Sequence, residues 1–247
     1  MDTSLNWREL LKHPAQDHLL QVYRDRDFLS EAVTHYVREG LRLGEAGLII
    51  ARPEHRRLFA AGLGANAAVH MLDADETLAS FMVDGMPDAA AFQRACGRAI
   101  RGLRLRYPGV RAYGEMVDIL WQRGERAAAL RLEELWNDLR REQPFSLLCA
   151  YAMDPLQPEV YGALESVCRC HTHLIPTRDY ERFNQAVMDA SKAALDQPLA
   201  QMLLSLAARY RPSTEMPLGQ AALLWLKKNM PRTADRVLED VRARLAA

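Results

Sequence analysis

What this chain lacks narrows its functions before anything it contains. Net charge is missing, because 32 lysines and arginines offset 32 aspartates and glutamates. No global field therefore draws the protein to nucleic acid or to an anionic membrane surface. No apolar run approaches the roughly 18–20 residues that cross a bilayer. The opening stretch, MDTSLNWRELLKHPAQDH, has no apolar centre of the kind a secretory leader carries. Cysteine is scarce, with four residues at positions 96, 149, 168 and 170. Cys96 falls in a helical pattern and Cys149 in a buried-strand pattern, which suits reduced thiols better than a disulfide framework. The expected compartment is the cytoplasm, with no membrane contact.

Glycine is missing where a nucleotide enzyme needs it. A GxxxxGK[ST] loop uses glycines so that backbone N–H groups can wrap phosphates, and a lysine to reach them. The turn after Ala46–Ala51 reads Arg-Pro-Glu-His-Arg-Arg, with no glycine, no lysine and a proline in place of a donor. ATP hydrolysis by the P-loop route is not expected. There is no GxSxG elbow, and neither Cys149 nor Ser146 has a base visible in the sequence. Cys168-Arg-Cys170-His171-Thr-His173 contains metal-ligand residue types. If residues 171–175 form a strand, however, His171 and His173 share a face that Cys168 on the preceding helix does not. No second cluster lies nearby in sequence. No catalytic residue, metal or cofactor is expected.

What is present is a regular alternation of strand and helix signals over residues 18–176. His18–Tyr23, Ala46–Ala51, Val69–Leu72, Val110–Tyr113, Phe145–Ala150 and His171–Ile175 read as short strands, Ala46–Ala51 as a continuous apolar run. Between them lie helical patterns, one started by Asp27, one opened by Pro53 and a long one ending at Pro108-Gly109. A loop is expected at Asp84–Asp88. Strands separated by helices of this length predict βαβ crossovers and a mostly parallel sheet. From residue 178 the strand signals stop. Four helical stretches follow, divided near Gln197-Pro198, Arg211-Pro212 and Met230-Pro231. The expected organisation is a tail over 1–17, an α/β domain over 18–177 and a C-terminal helical region over 178–247.

In open parallel sheets, ligands sit beyond the carboxyl ends of the strands. Those ends hold Arg52, Asp73, Glu115, Tyr151 and Asp154, with His55 one helical turn from Arg52. Arg52, His55, Asp73, Glu115 and Tyr151 are the candidate ligand-binding set. Two carboxylates, an arginine, a tyrosine and a histidine suit the polar floor of a pocket. Polar residues at strand ends are equally explained by solvation.

Several fragments together carry a family resemblance. They include His18-Leu-Leu-Gln-Val-Tyr23, Gly44-Glu-Ala-Gly-Leu-Ile-Ile50 with Pro53-Glu-His55, Leu72-Asp-Ala-Asp-Glu-Thr-Leu78 and Gly85-Met-Pro-Asp88. Gly114-Glu-Met-Val117, Leu132-Glu-Glu-Leu-Trp-Asn137 and Phe145-Ser-Leu-Leu-Cys-Ala-Tyr151 complete the set. Over residues 18–176 the chain resembles the MEDS domain, a sensory domain of methanogens and methylotrophs also found in a dichloromethane-response repressor. The resemblance implies a RecA/KaiC-like α/β fold without a working Walker A loop. It would place the lost loop at Ala51–Arg57 and Glu115 near the Walker B strand end.

It also implies sensing of a small, hydrocarbon-like molecule and signalling to a regulatory partner such as a kinase or transcription factor. The 178–247 helices are the expected output element. DNA binding is not expected, and a homodimer is the working assembly. A protein-interaction scaffold without a small ligand and a nucleotide-binding protein with a non-standard phosphate site are the alternatives.

Overall fold

A computed structural model describes residues 6–14, 17–209 and 214–246. Its centre is a six-stranded, wholly parallel sheet flanked by helices. The strands are β1 (His18–Tyr23), β2 (Ala46–Ala51), β3 (Val69–Asp73), β6 (Val110–Gly114), β7 (Ser146–Ala152) and β8 (His173–Leu174), in the order β3-β2-β6-β7-β1-β8. The remaining two strands, β4 (Met82–Val83) and β5 (Met86–Pro87), pair separately as an antiparallel hairpin. The α/β architecture with C-terminal helices is therefore as the sequence predicts.

Strand alternation divides the interior into two cores, because successive side chains point to opposite faces. Leu19, Tyr23, Ile49, Ala51, Tyr113, Leu148 and Ala150 face the smaller core. There they meet α2 (Arg26–Arg42), Phe59 of α3 (Pro53–Leu63), and Trp7 and Leu11 of α1 (Trp7–Lys12). The stretch read as a tail thus contains a helix in which Trp7 and Leu11, four apart, are buried. Arg111 secures it, donating to the carbonyls of Leu11, Lys12 and Tyr36 and to the Glu45 carboxylate at 2.6 Å.

Leu20, Val22, Leu48, Ile50, Ala112, Leu147, Cys149 and Tyr151 face the larger core. Its wall is formed by α4 (Ala74–Ala79), α5 (Ala89–Phe92), α6 (Arg98–Arg104), α7 (Met116–Gln122), α8 (Arg126–Glu142) and α9 (Pro158–Cys168). A π turn, Gln93–Gly97, links α5 to α6. This core continues without a break into α10 (Tyr180–Ala194), α11 (Gln197–Arg209), α12 (Leu218–Asn229) and α13 (Pro231–Ala246). Before α12 the chain also returns to the sheet edge, where the Leu174 N–H donates to the Glu215 carbonyl and the Glu215 N–H to the Thr172 carbonyl, on either side of His173. The C-terminal helices are therefore packed onto the α/β unit through shared apolar surface. The expected break at Arg211-Pro212 lies outside the described residues.

Two local expectations change. The segment at Asp84–Asp88 is the turn and second strand of a hairpin, because Asp84 and Gly85 both take positive φ (49° and 77°), the conformation of a two-residue primed turn. The last strand is only His173–Leu174, so His171 lies in the turn between α9 and β8.

Candidate functional site

Strands β1 and β2 lead into helices on the smaller-core side, whereas β6 and β7 lead into helices on the other. The face onto which the chain crosses therefore switches between β2 and β6 and between β1 and β7, and a crevice opens outside those strand ends. Glu115, immediately after β6, sits fully buried at its base. Its carboxylate accepts the Arg52 backbone N–H at 2.5 Å, the His55 Nδ1 at 2.6 Å and the Tyr113 hydroxyl at 2.9 Å. A carboxylate only accepts, so the His55 proton is on Nδ1. Burial and the neighbouring Glu115 charge hold the Tyr113 phenol well above its ordinary range.

One turn along α7, Asp118 is also buried. It accepts the Ala152 N–H and the Gln122 amide, both at 3.0 Å, and lies 3.4 Å from Arg52 Nη1. Burial raises its pKa against the opposing pull of those groups.

Three of the five expected residues therefore come together: Arg52, His55 and Glu115. Asp73 stands at the outer strand, where it caps α4 through the Glu76 N–H and pairs with Arg56 at 2.7 Å. Tyr151 points into the larger core, edge-on to Trp121, with its hydroxyl on Glu133. Above the buried floor is a cleft of about 280 Å³ bordered by Tyr23, Arg24, Arg26, Arg52, His55 and Asp154. The turn after β1, Arg24-Asp25-Arg26-Asp27, contains no glycine, like the turn after β2.

Sharing Tyr23 and Arg24 with that cleft is a second cavity of about 270 Å³. Its walls come from both parts of the chain. Val22, Phe28 and Leu156 belong to the α/β unit, and Arg182, Phe183 and Leu245 to α10 and α13.

Comparison with family models identifies residues 17–172, well over half of the chain, as matching MEDS, the methanogen/methylotroph, DcmR sensory domain. The chain belongs to the MEDS family. Comparison with curated proteins and with solved structures gives no match. The family is a sensory one, and no described helix is long and apolar enough to cross a membrane.

The structure also assembles polar residues that the sequence kept apart. His18, Glu133, Cys149 and His171 are all fully buried, and their ligand-type atoms lie within 4.8 Å of one another. They come from β1, α8, β7 and the turn before β8. His18 Nε2 is 3.3 Å from both Cys149 Sγ and Glu133 Oε2, and His171 Nε2 is 3.5 Å from Glu133 Oε1. The Tyr151 hydroxyl donates to Glu133 Oε1 at 2.7 Å. Burial, followed by Arg140, lowers the His18 pKa to about 3. Burial, followed by His18, lowers that of His171 to about 3. Both rings are neutral at physiological pH. Burial and the Glu133 charge push the Cys149 thiol well up.

Of this group the sequence offers only His171 as a metal ligand, and Cys149 only as a nucleophile without a visible base. The predicted strand over 171–175 argued against the use of His171 as a ligand, and the shortened β8 removes that objection. One sequence signal did exist. Glu133 lies within the apolar stripe of α8, beside Leu132 and one turn from Ala129 and Trp136, where a solvated glutamate has no place.

Proposed function

We propose that this MEDS-family chain is a ligand-binding sensory module whose ligand occupies the adjacent cavities beyond β1, which share Tyr23 and Arg24, and whose output passes through the C-terminal helices. The observation that carries this is the shared wall of the 270 Å³ cavity, with Phe28 and Leu156 on one side and Phe183 and Leu245 on the other. An occupant there touches both the sensory core and α10 and α13. A ligand shifts a conformational equilibrium only by its differential affinity for the two states, and direct contact with both parts provides one.

The cavity selects a ligand of limited kind. Its volume lies just below the roughly 300–1,000 Å³ of sites for drug-sized molecules, which favours a compact compound. Phe28, Leu156, Phe183 and Leu245 favour an apolar body. Arg24 and Arg52 at the adjoining cleft favour a polar or anionic end. The partner reached through α10–α13 is a regulatory protein, such as a kinase or a transcription factor.

The test is a thermal-shift screen with ATP, cyclic nucleotides and small apolar compounds, followed by hydrogen exchange on the best binder. A ligand at 100 times its dissociation constant stabilises the native state by about 2.7 kcal/mol. The expected result is a shift with a compact apolar compound, slower exchange in α10 and α13, and loss of the shift in Leu245→Trp. A shift with nucleotides alone would replace this function with a nucleotide-binding one. No shift with any compound would favour a scaffold.

A further inference from the structure

We propose that His18, Glu133, Cys149 and His171 form a site for one divalent transition-metal ion of the zinc class, joining β1 and β7 to α8 and to the turn before β8. The site lies apart from the ligand cavities and stands independently of the sensory function.

Proton bookkeeping carries the proposal. Asn137 donates its amide to the Cys170 carbonyl at 2.8 Å, which leaves its Oδ1 as an acceptor for Arg140 and for His18. The His18 proton is therefore on Nδ1, 3.0 Å from that oxygen. His171 Nδ1 faces the Val167 carbonyl at 2.7 Å, so its proton is on Nδ1 as well. Both Nε2 atoms thus present bare lone pairs to the cluster, alongside two carboxylate oxygens.

Facing these four acceptors are two donors, the Tyr151 hydroxyl and the Cys149 thiol. Among the described residues, His171 Nε2 has no hydrogen-bond partner, although its residue is fully buried. Unmatched buried lone pairs are costly, and a cation among four such acceptors would satisfy them together.

Spacing, charge and outer contacts agree. Ligands bound tetrahedrally to zinc at about 2.0–2.3 Å stand about 3.3–3.8 Å from one another. Four of the six pairs here are 3.3, 3.3, 3.5 and 3.6 Å apart, His171 facing Glu133 Oε1 and the other two facing Oε2, and the whole set lies within 4.8 Å. Thiolate and carboxylate together carry two negative charges, so a divalent ion leaves a buried site neutral. Two imidazoles and a thiolate select a borderline-soft ion over magnesium or calcium. Each imidazole is oriented by a hydrogen bond on its other nitrogen, and Tyr151 orients Glu133, the outer arrangement typical of metal ligands. On binding, the Cys149 S–H bond breaks, its electron pair passes to the metal and the proton is released to solvent.

The test uses the full-length chain, unfolded in guanidinium with chelator and reductant, then refolded with and without Co²⁺ and gel-filtered. The expected product holds about one cobalt per chain, shows tetrahedral d–d bands with a thiolate-to-cobalt charge-transfer band, and melts at a higher temperature than the metal-free protein. Cys149→Ser should lose the charge-transfer band. Asn137→Ala, which frees the His18 ring, should weaken binding about 10–100-fold in a competition titration. His173→Ala, outside the cluster, should change neither. Wild-type protein that refolds without stoichiometric cobalt overturns the proposal, as does a charge-transfer band that survives in Cys149→Ser. If Cys149→Ser fails to fold, wild-type stoichiometry and the Asn137→Ala titration decide alone.

Discussion

Glu115 and Glu133 are both fully buried, each with a histidine and a tyrosine hydroxyl beside it, and the two lie on opposite sides of one sheet. Around Glu115 the donors suffice, because a backbone N–H, an imidazole N–H and a phenol all point at one carboxylate. Around Glu133 they do not, because both histidines spend their proton elsewhere. The same residue types thus build a carboxylate with three donors on one side, where the outward His55 Nε2 alone lacks a partner, and a cluster with more acceptors than donors on the other. What decides is where each imidazole places its proton, and that is set by a neighbour: the acceptor of His55 is Glu115 itself, whereas the acceptors of His18 and His171 lie outside their cluster. Residue composition alone would not have separated the two.

The largest expected effect comes from emptying the Glu115 network. Glu115→Leu strands the His55 and Tyr113 donors and the Arg52 N–H, so unfolding free energy at pH 7 should fall by about 3–5 kcal/mol. Denaturant titration measures it. A loss under about 1 kcal/mol would mean that those donors find other partners, and that Glu115 does not hold the crevice floor.

The pair Glu115→Gln and Glu133→Gln tests the comparison most directly. At Glu115 an amide replaces one of the accepting oxygens with a donor that faces other donors, at a cost of about 2–3 kcal/mol. At Glu133, in chelator-treated protein, the new donor meets bare imidazole lone pairs, and the cost should be under about 1 kcal/mol. Equal losses at the two positions would show that the donor count is not what separates the clusters.

Two hydroxyl deletions sharpen the same contrast. Tyr151→Phe removes one of the two donors in the cluster short of them, so metal-free protein should lose about 1–2 kcal/mol. Tyr113→Phe removes one of three donors to Glu115 and should cost about 1 kcal/mol. The ranking is read from urea midpoints, and its reversal would point to packing around the two rings instead.

The fold was largely legible because it is written locally. Ala46–Ala51 and Leu147–Ala150 are continuous apolar runs, as strands covered on both faces require. Pro53 opens α3 as read, and Pro198 and Pro231 fall at the starts of α11 and α13. Burial of α1 was not legible, since a six-residue amphipathic turn resembles a polar tail until Arg111 is seen to hold its carbonyls. The crevice trio of Arg52, His55 and Glu115 followed from the general placement of strand ends. Tyr151 shares that placement, but side-chain alternation along β7 sends it to the other face. The buried cluster was illegible for a different reason. Its members span positions 18 to 171, and only the finished sheet brings them together.

Asp118→Asn carries the smallest expected effect and probes why the crevice keeps a second carboxylate. Burial raises the folded-state pKa above the ordinary 3.8, so the fold disfavours the ionised form relative to the unfolded chain. This group's contribution is therefore fully present below pH 3.8 and is lost as pH rises through the folded value. Asparagine keeps an oxygen for the Ala152 N–H and the Gln122 amide, and gives up the partly exposed Arg52 contact, worth under about 1 kcal/mol. The variant should thus gain on the wild type as pH rises from about 4 to 7, by no more than about 1 kcal/mol. Denaturant titrations at several pH values give the sign. A wild type that gains instead would show that Arg52 outweighs desolvation, and that the Arg52–Asp118 pair helps to hold the crevice shut at neutral pH.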